Sequence, residues 1–342
     1  MLVVLWHVIM KSYLQLDWQL GVPIPGGWGL VGDAIWPFLM PLFLLVSGYF
    51  AGNALARPWT QVLRPRVVRF LYLYLLWSLV HMVALWAFPD FPTLVPRSVS
   101  QFVESVTISP PDTWYLYALA LYFVLAKALS RLPRWLLLSL AAALSVAVSA
   151  GYVEIVSNRG SLLYNFTFFL LGAFFARQLR GLLARITPWW AQLALLVYVV
   201  GFAGMRLTGT EETPGVWPLV SVLGCAMGLA AATQLARIRA LGPRLVWLGR
   251  RTLPIYLLHM PLLALVDLPL SDLLATARPG VALAAAVLLP IATTALLVAV
   301  CVLLNRLLVR DGLTWLFDLP RRRIRTPETA PVGVASTVGG EF

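Results

Sequence analysis

From Met1 to about residue 308 the chain alternates long apolar runs with short breaks that carry Pro, Gly or charge. The runs fall near 34–55, 70–88, 114–130, 135–150, 162–176, 188–205, 217–236, 248–266 and 281–305. Runs of this length suit helices crossing a hydrocarbon layer of ~30 Å at 1.5 Å per residue. A further run, Met1–Met10, ends at Lys11 and as a helix rises only about 15 Å. No basic segment precedes it and no small-residue cleavage site follows it, so a signal peptide is a poor reading. The pattern predicts an all-α polytopic membrane bundle of about ten transmembrane helices. The first is truncated, as if Met1 were an internal start.

Composition agrees: 60% of residues are hydrophobic, 12% are charged, and the mean hydropathy is +0.84. A net charge of +12 would suggest nucleic acid in a soluble chain, but here its distribution reads as topology. With the N-terminus in the cytoplasm, every Lys and Arg except Lys11, Arg97, Arg159, Arg206 and Arg278 falls inside. Acidic residues such as Asp90, Glu104, Asp112, Glu211 and Glu212 fall outside. The expectation is a multipass cell-membrane protein with both termini cytoplasmic and no nucleic-acid partner. Residues 1–308 form the membrane domain, and 309–342 a basic cytoplasmic tail that ends in disorder. The Pro-rich stretch 89–113 lies outside the bilayer, with room for a short helix over 98–106 that covers a site. Cys225 and Cys301 read as buried small hydrophobes. Gly48-x-x-x-Gly52 and Gly224-x-x-x-Gly228 read as close helix packing.

Few residues carry chemistry. There is no phosphate-binding Gly-rich loop with a Lys, no Gly-x-Ser-x-Gly elbow and no metal spacing among the three histidines. His7 is the foremost candidate, because an ionisable group inside an apolar run is a functional candidate by default. Arg66 and Arg69, three apart at the start of the third span, share a helix face and suit an anion, or serve as ordinary positive-inside anchors. His81 and His259 lie mid-span, where structural hydrogen bonding is an equal alternative. Ser47 reads as packing or lining, and Trp114-Tyr115 as an interfacial aromatic belt or pocket support.

Five stretches occur in order: Leu-Val-Val-Leu-Trp-His-Val at 2–8, Met-Pro-Leu-Phe-Leu-Leu-Val-Ser-Gly-Tyr-Phe at 40–50, Arg66-x-x-Arg69, Trp-Tyr-Leu-Tyr-Ala-Leu at 114–119 and Ile-Tyr-Leu-Leu-His at 255–259. In this the chain resembles the membrane acyltransferase-3 family of multipass O-acyltransferases. The resemblance covers about residues 1–308. It implies transfer of an acyl group, commonly acetyl, from cytoplasmic acyl-CoA to a hydroxyl of a sugar, polysaccharide or glycosylated metabolite, with no metal. His7 then corresponds to the base, for which a neutral imidazole suits removal of the hydroxyl proton. Arg66 and Arg69 suit the phosphates of acyl-CoA. Ser47, Trp114, Tyr115 and His259 are lining or support. The family pattern has an arginine eleven positions before this histidine, a place that precedes Met1. The alternative from another class is a multipass transporter or flippase of an anionic or glycosylated small molecule, in which the histidines relay protons. A membrane scaffold without activity leaves His7 and His259 without a purpose.

Overall fold

The structure is a computed structural model, and the residues it describes are 1–18, 22–88, 91, 96, 98–107, 111–153, 158–275 and 278–320. The expected tail beyond residue 320 and most of 89–97 lie outside the described residues. The molecule is all-α: every regular element among the described residues is helical. Five helices are long and apolar enough to cross a membrane: α2 (Ile24–Leu55), the continuous helix Trp59–Trp86, α10 (Pro188–Thr208), α11 (Val216–Arg237) and α14 (Pro279–Arg310). The pair α8 (Arg159–Phe174) and α9 (Ala176–Arg185) passes the same test only when taken together, and is bent by 77°. Shorter apolar helices are α1 (Leu2–Lys11), α6 (Trp114–Ala128), α7 (Arg134–Ser149) and α13 (Thr252–Ala275). Each expected span coincides with one of these. A short α5 (Val99–Thr107) follows the Pro-rich stretch, tied down where the Tyr74 hydroxyl donates to the Val106 carbonyl at 2.8 Å.

The surface of the long helices is apolar where the pattern demands it. Leu195, Leu196, Val199 and Val200 on α10, and Val287, Leu288, Ile291 and Leu296 on α14, are all exposed. Side chains of this kind face lipid at no cost. Between helices, lipid supplies no hydrophobic contrast, so close packing must hold the bundle together. The most extensive helix contact, α2 against α8, shows how. A methyl on Gly48 would stand 2.0 Å from the Phe169 carbonyl oxygen, and one on Gly172 would stand 1.9 Å from that of Leu45. The two backbones touch because neither residue has a side chain.

Prolines inside helices leave carbonyls four residues earlier without their usual donor. Each of three such carbonyls is satisfied by a side chain from another helix or turn. Pro41 frees the Pro37 carbonyl, and the Ser221 hydroxyl donates to it at 2.5 Å, itself accepting from Tyr164 at 2.6 Å. Pro290 frees the Ala286 carbonyl, which accepts from the Tyr13 hydroxyl at 2.7 Å and Trp28 Nε1 at 3.1 Å. Pro261 frees the Leu257 carbonyl, and His81 Nε2 donates to it at 2.8 Å. His81 is therefore a structural clamp between the Trp59–Trp86 helix and α13. A carbonyl buried without a partner costs roughly 1–3 kcal/mol, so these bonds also lock helix register.

Candidate functional site

The first site element is α1, a run of Leu, Val and Ile interrupted by Trp6 and His7. Its Ile9 and Met10 pack on Gly32 of α2. Through these contacts Trp6 stacks on Trp36 of α2, ring centroids 4.5 Å apart, and Trp6 meets His7 edge-on at 5.1 Å. On the other side of His7 lies His259 of α13, with centroids 5.0 Å apart and His259 Nε2 at 3.2 Å from His7 Nδ1. His259 is fully enclosed at 1% exposure, whereas His7 keeps accessible surface.

Hydrogen-bond bookkeeping assigns the protons of this pair. His259 Nδ1 faces the carbonyls of Tyr256 at 2.7 Å and Ile255 at 3.1 Å, which only accept, so it carries the proton. In neutral His259, Nε2 is then an acceptor. His7 Nδ1 faces that acceptor and also the Val3 carbonyl at 2.9 Å, so it too must carry its proton. The lone pair of His7 is thereby left on Nε2, which has no hydrogen-bond partner among the described residues.

The second element is the start of the Trp59–Trp86 helix, built from α3 (Trp59–Val62), a π-helical stretch Leu63–Val68 around Pro65, and α4 (Arg69–Trp86). Wide turns of this kind re-aim side chains and recur at functional sites. Here the stretch sends Arg66 and Arg69 into one cavity of about 450 Å³. Phe43, Ser47 and Phe50 of α2, Tyr115 of α6, Arg250, and Tyr256 of α13 also line it. Arg250 is a third cation that the sequence reading passed over. Its position two residues before Thr252, at the start of the helix that bears His259, was the available signal. Lys127 stands nearby but is spent on structure, donating to the Leu55 and Arg57 carbonyls at 2.9 and 2.5 Å where α2 ends.

Ser47 and Tyr115 join in this cavity. The Ser47 hydroxyl donates to the Phe43 carbonyl at 2.8 Å, so the 2.6 Å contact with Tyr115 is donated by the phenol. The Ser47 proton is thus committed to its own helix. Trp114 lines no described cavity; it is 8% exposed in the core cluster. Among the described residues no group of three or more His, Cys, Asp or Glu is placed to hold a metal.

After α14 the chain returns across the mouth of the arginine cavity. Trp77 Nε1 donates to the Leu316 carbonyl at 2.6 Å, Tyr72 to that of Trp315 at 3.1 Å and Arg64 to that of Pro320 at 2.8 Å. These bonds seat Phe317 in the cavity wall. They also bring Asp318 Oδ1 to 2.8 Å from Arg69 Nε, an ion pair whose alignment falls short of a hydrogen bond.

A second cavity, of about 330 Å³, lies beside α2 at Trp36, Pro37, Met40 and Pro41. The two cavities meet different ends of one aromatic and imidazole chain. Tyr256 lines the first and stands 6.0 Å from His259; Trp36 lines the second and stacks on Trp6, next to His7. The histidine pair sits in the middle of that chain and lines neither cavity.

Comparison with known proteins gives the family. A family model for an acyltransferase domain matches residues 1–306. Nodulation protein NolL of Sinorhizobium fredii is 32% identical over 151 residues, 43% of this chain and 39% of that protein. Inner membrane protein YcfT of Escherichia coli is 26% identical over 199 residues, 51% of this chain and 52% of its own length. NolL of Mesorhizobium japonicum is 26% identical over 149 residues, 43% and 38% of the two chains. The chain thus spans about half or less of each of these relatives, and no solved structure matches it. With the family model covering nearly all of the helical region that carries the histidine pair and the arginine cavity, the chain belongs to the membrane acyltransferase-3 family.

Proposed function

We propose that this protein is an integral-membrane O-acyltransferase that moves an acyl group, acetyl by preference, from acyl-CoA to a hydroxyl of a sugar or glycoconjugate. The observation that carries the reading is the chain of rings that links the two cavities through the histidine pair. His7 offers an unshared lone pair on Nε2 within that chain, one end of which meets a cavity lined by three arginines and the other a cavity that none lines. By the positive-inside rule the arginine cavity faces the cytoplasm, where acyl-CoA is found. Arg66, Arg69 and Arg250 suit its phosphates, since guanidinium forks match phosphate oxygens in pairs. The aromatic wall of Phe43, Phe50 and Tyr256 suits the apolar part of the pantetheine arm on its way to His7.

In the reaction, His7 Nε2 takes the hydroxyl proton as the acceptor oxygen bonds to the acyl carbon. The C–S bond breaks, and the imidazolium returns its proton to the departing sulfur, giving ester and free thiol. While His7 holds both protons, its Nδ1–H stays directed at His259 Nε2 and the Val3 carbonyl, which spreads the positive charge.

The test is thiol release from acetyl-CoA by detergent-purified protein supplied with a hydroxylated glycoside as acceptor, beside calorimetric binding of acetyl-CoA. His7→Ala should abolish release and keep binding, while Arg66→Ala/Arg69→Ala should lose binding. Release at the original rate by the His7 variant would overturn the base. Vesicle uptake of a solute without thiol release would make the protein a transporter instead.

A further inference from the structure

The second cavity has chemistry of its own. Two indoles, Trp36 and Trp217, form its apolar walls, and no Lys, Arg or His lines it. Its polar lining includes Asn165, Glu211 and Glu212. Asn165 is only 3% exposed; its Nδ2 donates to the Ser161 carbonyl at 2.8 Å, yet its Oδ1 has no hydrogen-bond partner among the described residues. An orphaned buried acceptor calls for a donor from a ligand. Glu211 pairs with Arg206 at 3.2 Å, a cation that Asp33 already shares at 3.4 Å. Glu212 has no ion-pair partner among the described residues. The lining itself therefore holds two carboxylates and no cation, beside the hydroxyls of Ser149, Ser161 and Tyr164.

We propose that this cavity is the acceptor subsite and that it selects a hydroxylated ring bearing an ammonium group, such as an amino sugar. The inference rests on the acyltransferase reading. Each part of the ring meets a matching group. Indole faces take the C–H faces of a saturated ring and attract a cation as well. Glu212, with Glu211 beside it, takes the ammonium, and Asn165 Oδ1 takes one N–H or O–H. The volume of about 330 Å³ admits one such ring. From the cavity wall at Trp36, Trp6 and then His7 follow by ring contact, so the base lies beyond that wall. Acceptors that bear phosphate or carboxylate near that ring are disfavoured by the same carboxylates.

The test is binding, which needs no turnover. Detergent-purified full chain is dialysed to equilibrium against radiolabelled methyl glucosaminide or methyl glucoside, at slightly acidic pH where the amine is protonated. The expected result is about fivefold tighter binding of the amino glycoside, the scale of one partly exposed ion pair. That preference should disappear in Glu211→Gln/Glu212→Gln while the affinity for the neutral glycoside stays the same. Asn165→Leu should weaken both. Equal affinities, or a preference that survives both glutamine substitutions, would overturn the proposal. Thiol release from acetyl-CoA, followed in the same samples, separates the two readings. Release that depends on His7 but comes with no glycoside preference overturns this subsite alone. A glutamate-dependent preference with no release keeps the cavity as an amino-sugar site but overturns the acyltransferase reading, and with it the role of this cavity as an acceptor subsite.

Discussion

His259 touches neither cavity, yet the geometry makes the turnover rate depend on it. Its Nε2 is the side-chain acceptor for His7 Nδ1–H, at 3.2 Å, and the remaining acceptor is the Val3 carbonyl at 2.9 Å. His259→Leu is close in volume and leaves the helix intact, because the carbonyls of Ile255 and Tyr256 that His259 engages belong to its own helix. What disappears is a hydrogen bond to a group that becomes cationic during the reaction. Such bonds contribute about 1.5–3 kcal/mol. At ~1.4 kcal/mol per factor of ten, kcat should fall roughly 10- to 150-fold, with KM for acetyl-CoA unchanged. Loss of His7 itself should cost about 10²–10⁴, the range for a general base. His259→Gln keeps a carbonyl oxygen as acceptor and should recover part of the rate. His7→Ala/His259→Leu should be no worse than His7→Ala alone, since His259 acts through His7. Stopped thiol-release assays measure each term. A His259→Leu protein with the original kcat, or a loss that falls entirely in KM, would refute the assigned proton positions.

Three further outcomes follow from the same geometry. Arg250→Ala should weaken acetyl-CoA binding by roughly tenfold, and by calorimetry its effect should exceed that of Arg64→Ala, because Arg64 is held by the Pro320 carbonyl and does not line the cavity. Asp318→Asn frees Arg69 and should tighten acetyl-CoA binding, but by no more than about fivefold, since the Asp318 side chain is 63% exposed and solvent screens the pair. Gly48→Ala should lower the melting temperature in detergent by a cost of at least about 1–3 kcal/mol, because its methyl meets the Phe169 carbonyl, whereas Gly204→Ala, with nothing within 4 Å, should not.

Much of the architecture was written along the chain. Apolar runs bounded by Pro, Gly and Arg mark the helices because a bilayer demands continuous apolar length, a one-dimensional property. His7 stands out because an imidazole in an apolar run is rare, and Arg66 and Arg69 because their spacing of three at the start of a span puts them on one helix face. The Gly48 and Gly172 contact was half visible, since Gly-x-x-x-Gly states that a backbone will be approached but not by which helix. His81 was legible in principle, because Pro261 announces an orphaned carbonyl; only the fold shows that His81, far away in sequence, supplies the bond.

Pairing across the bundle was decided by tertiary structure. His7 and His259 are 252 positions apart, and no local pattern relates their rings or says which nitrogen keeps the lone pair. Ser47 looked like a hydroxyl in a motif until its proton was traced to the Phe43 carbonyl. Nothing in the local sequence around Arg250, Trp36 or Asn165 says that they line cavities. Segment length and polarity are summed residue by residue and so survive in the sequence. A cavity, a proton's position and the choice of helix partner are relations between distant segments, and they exist only once the helices have packed.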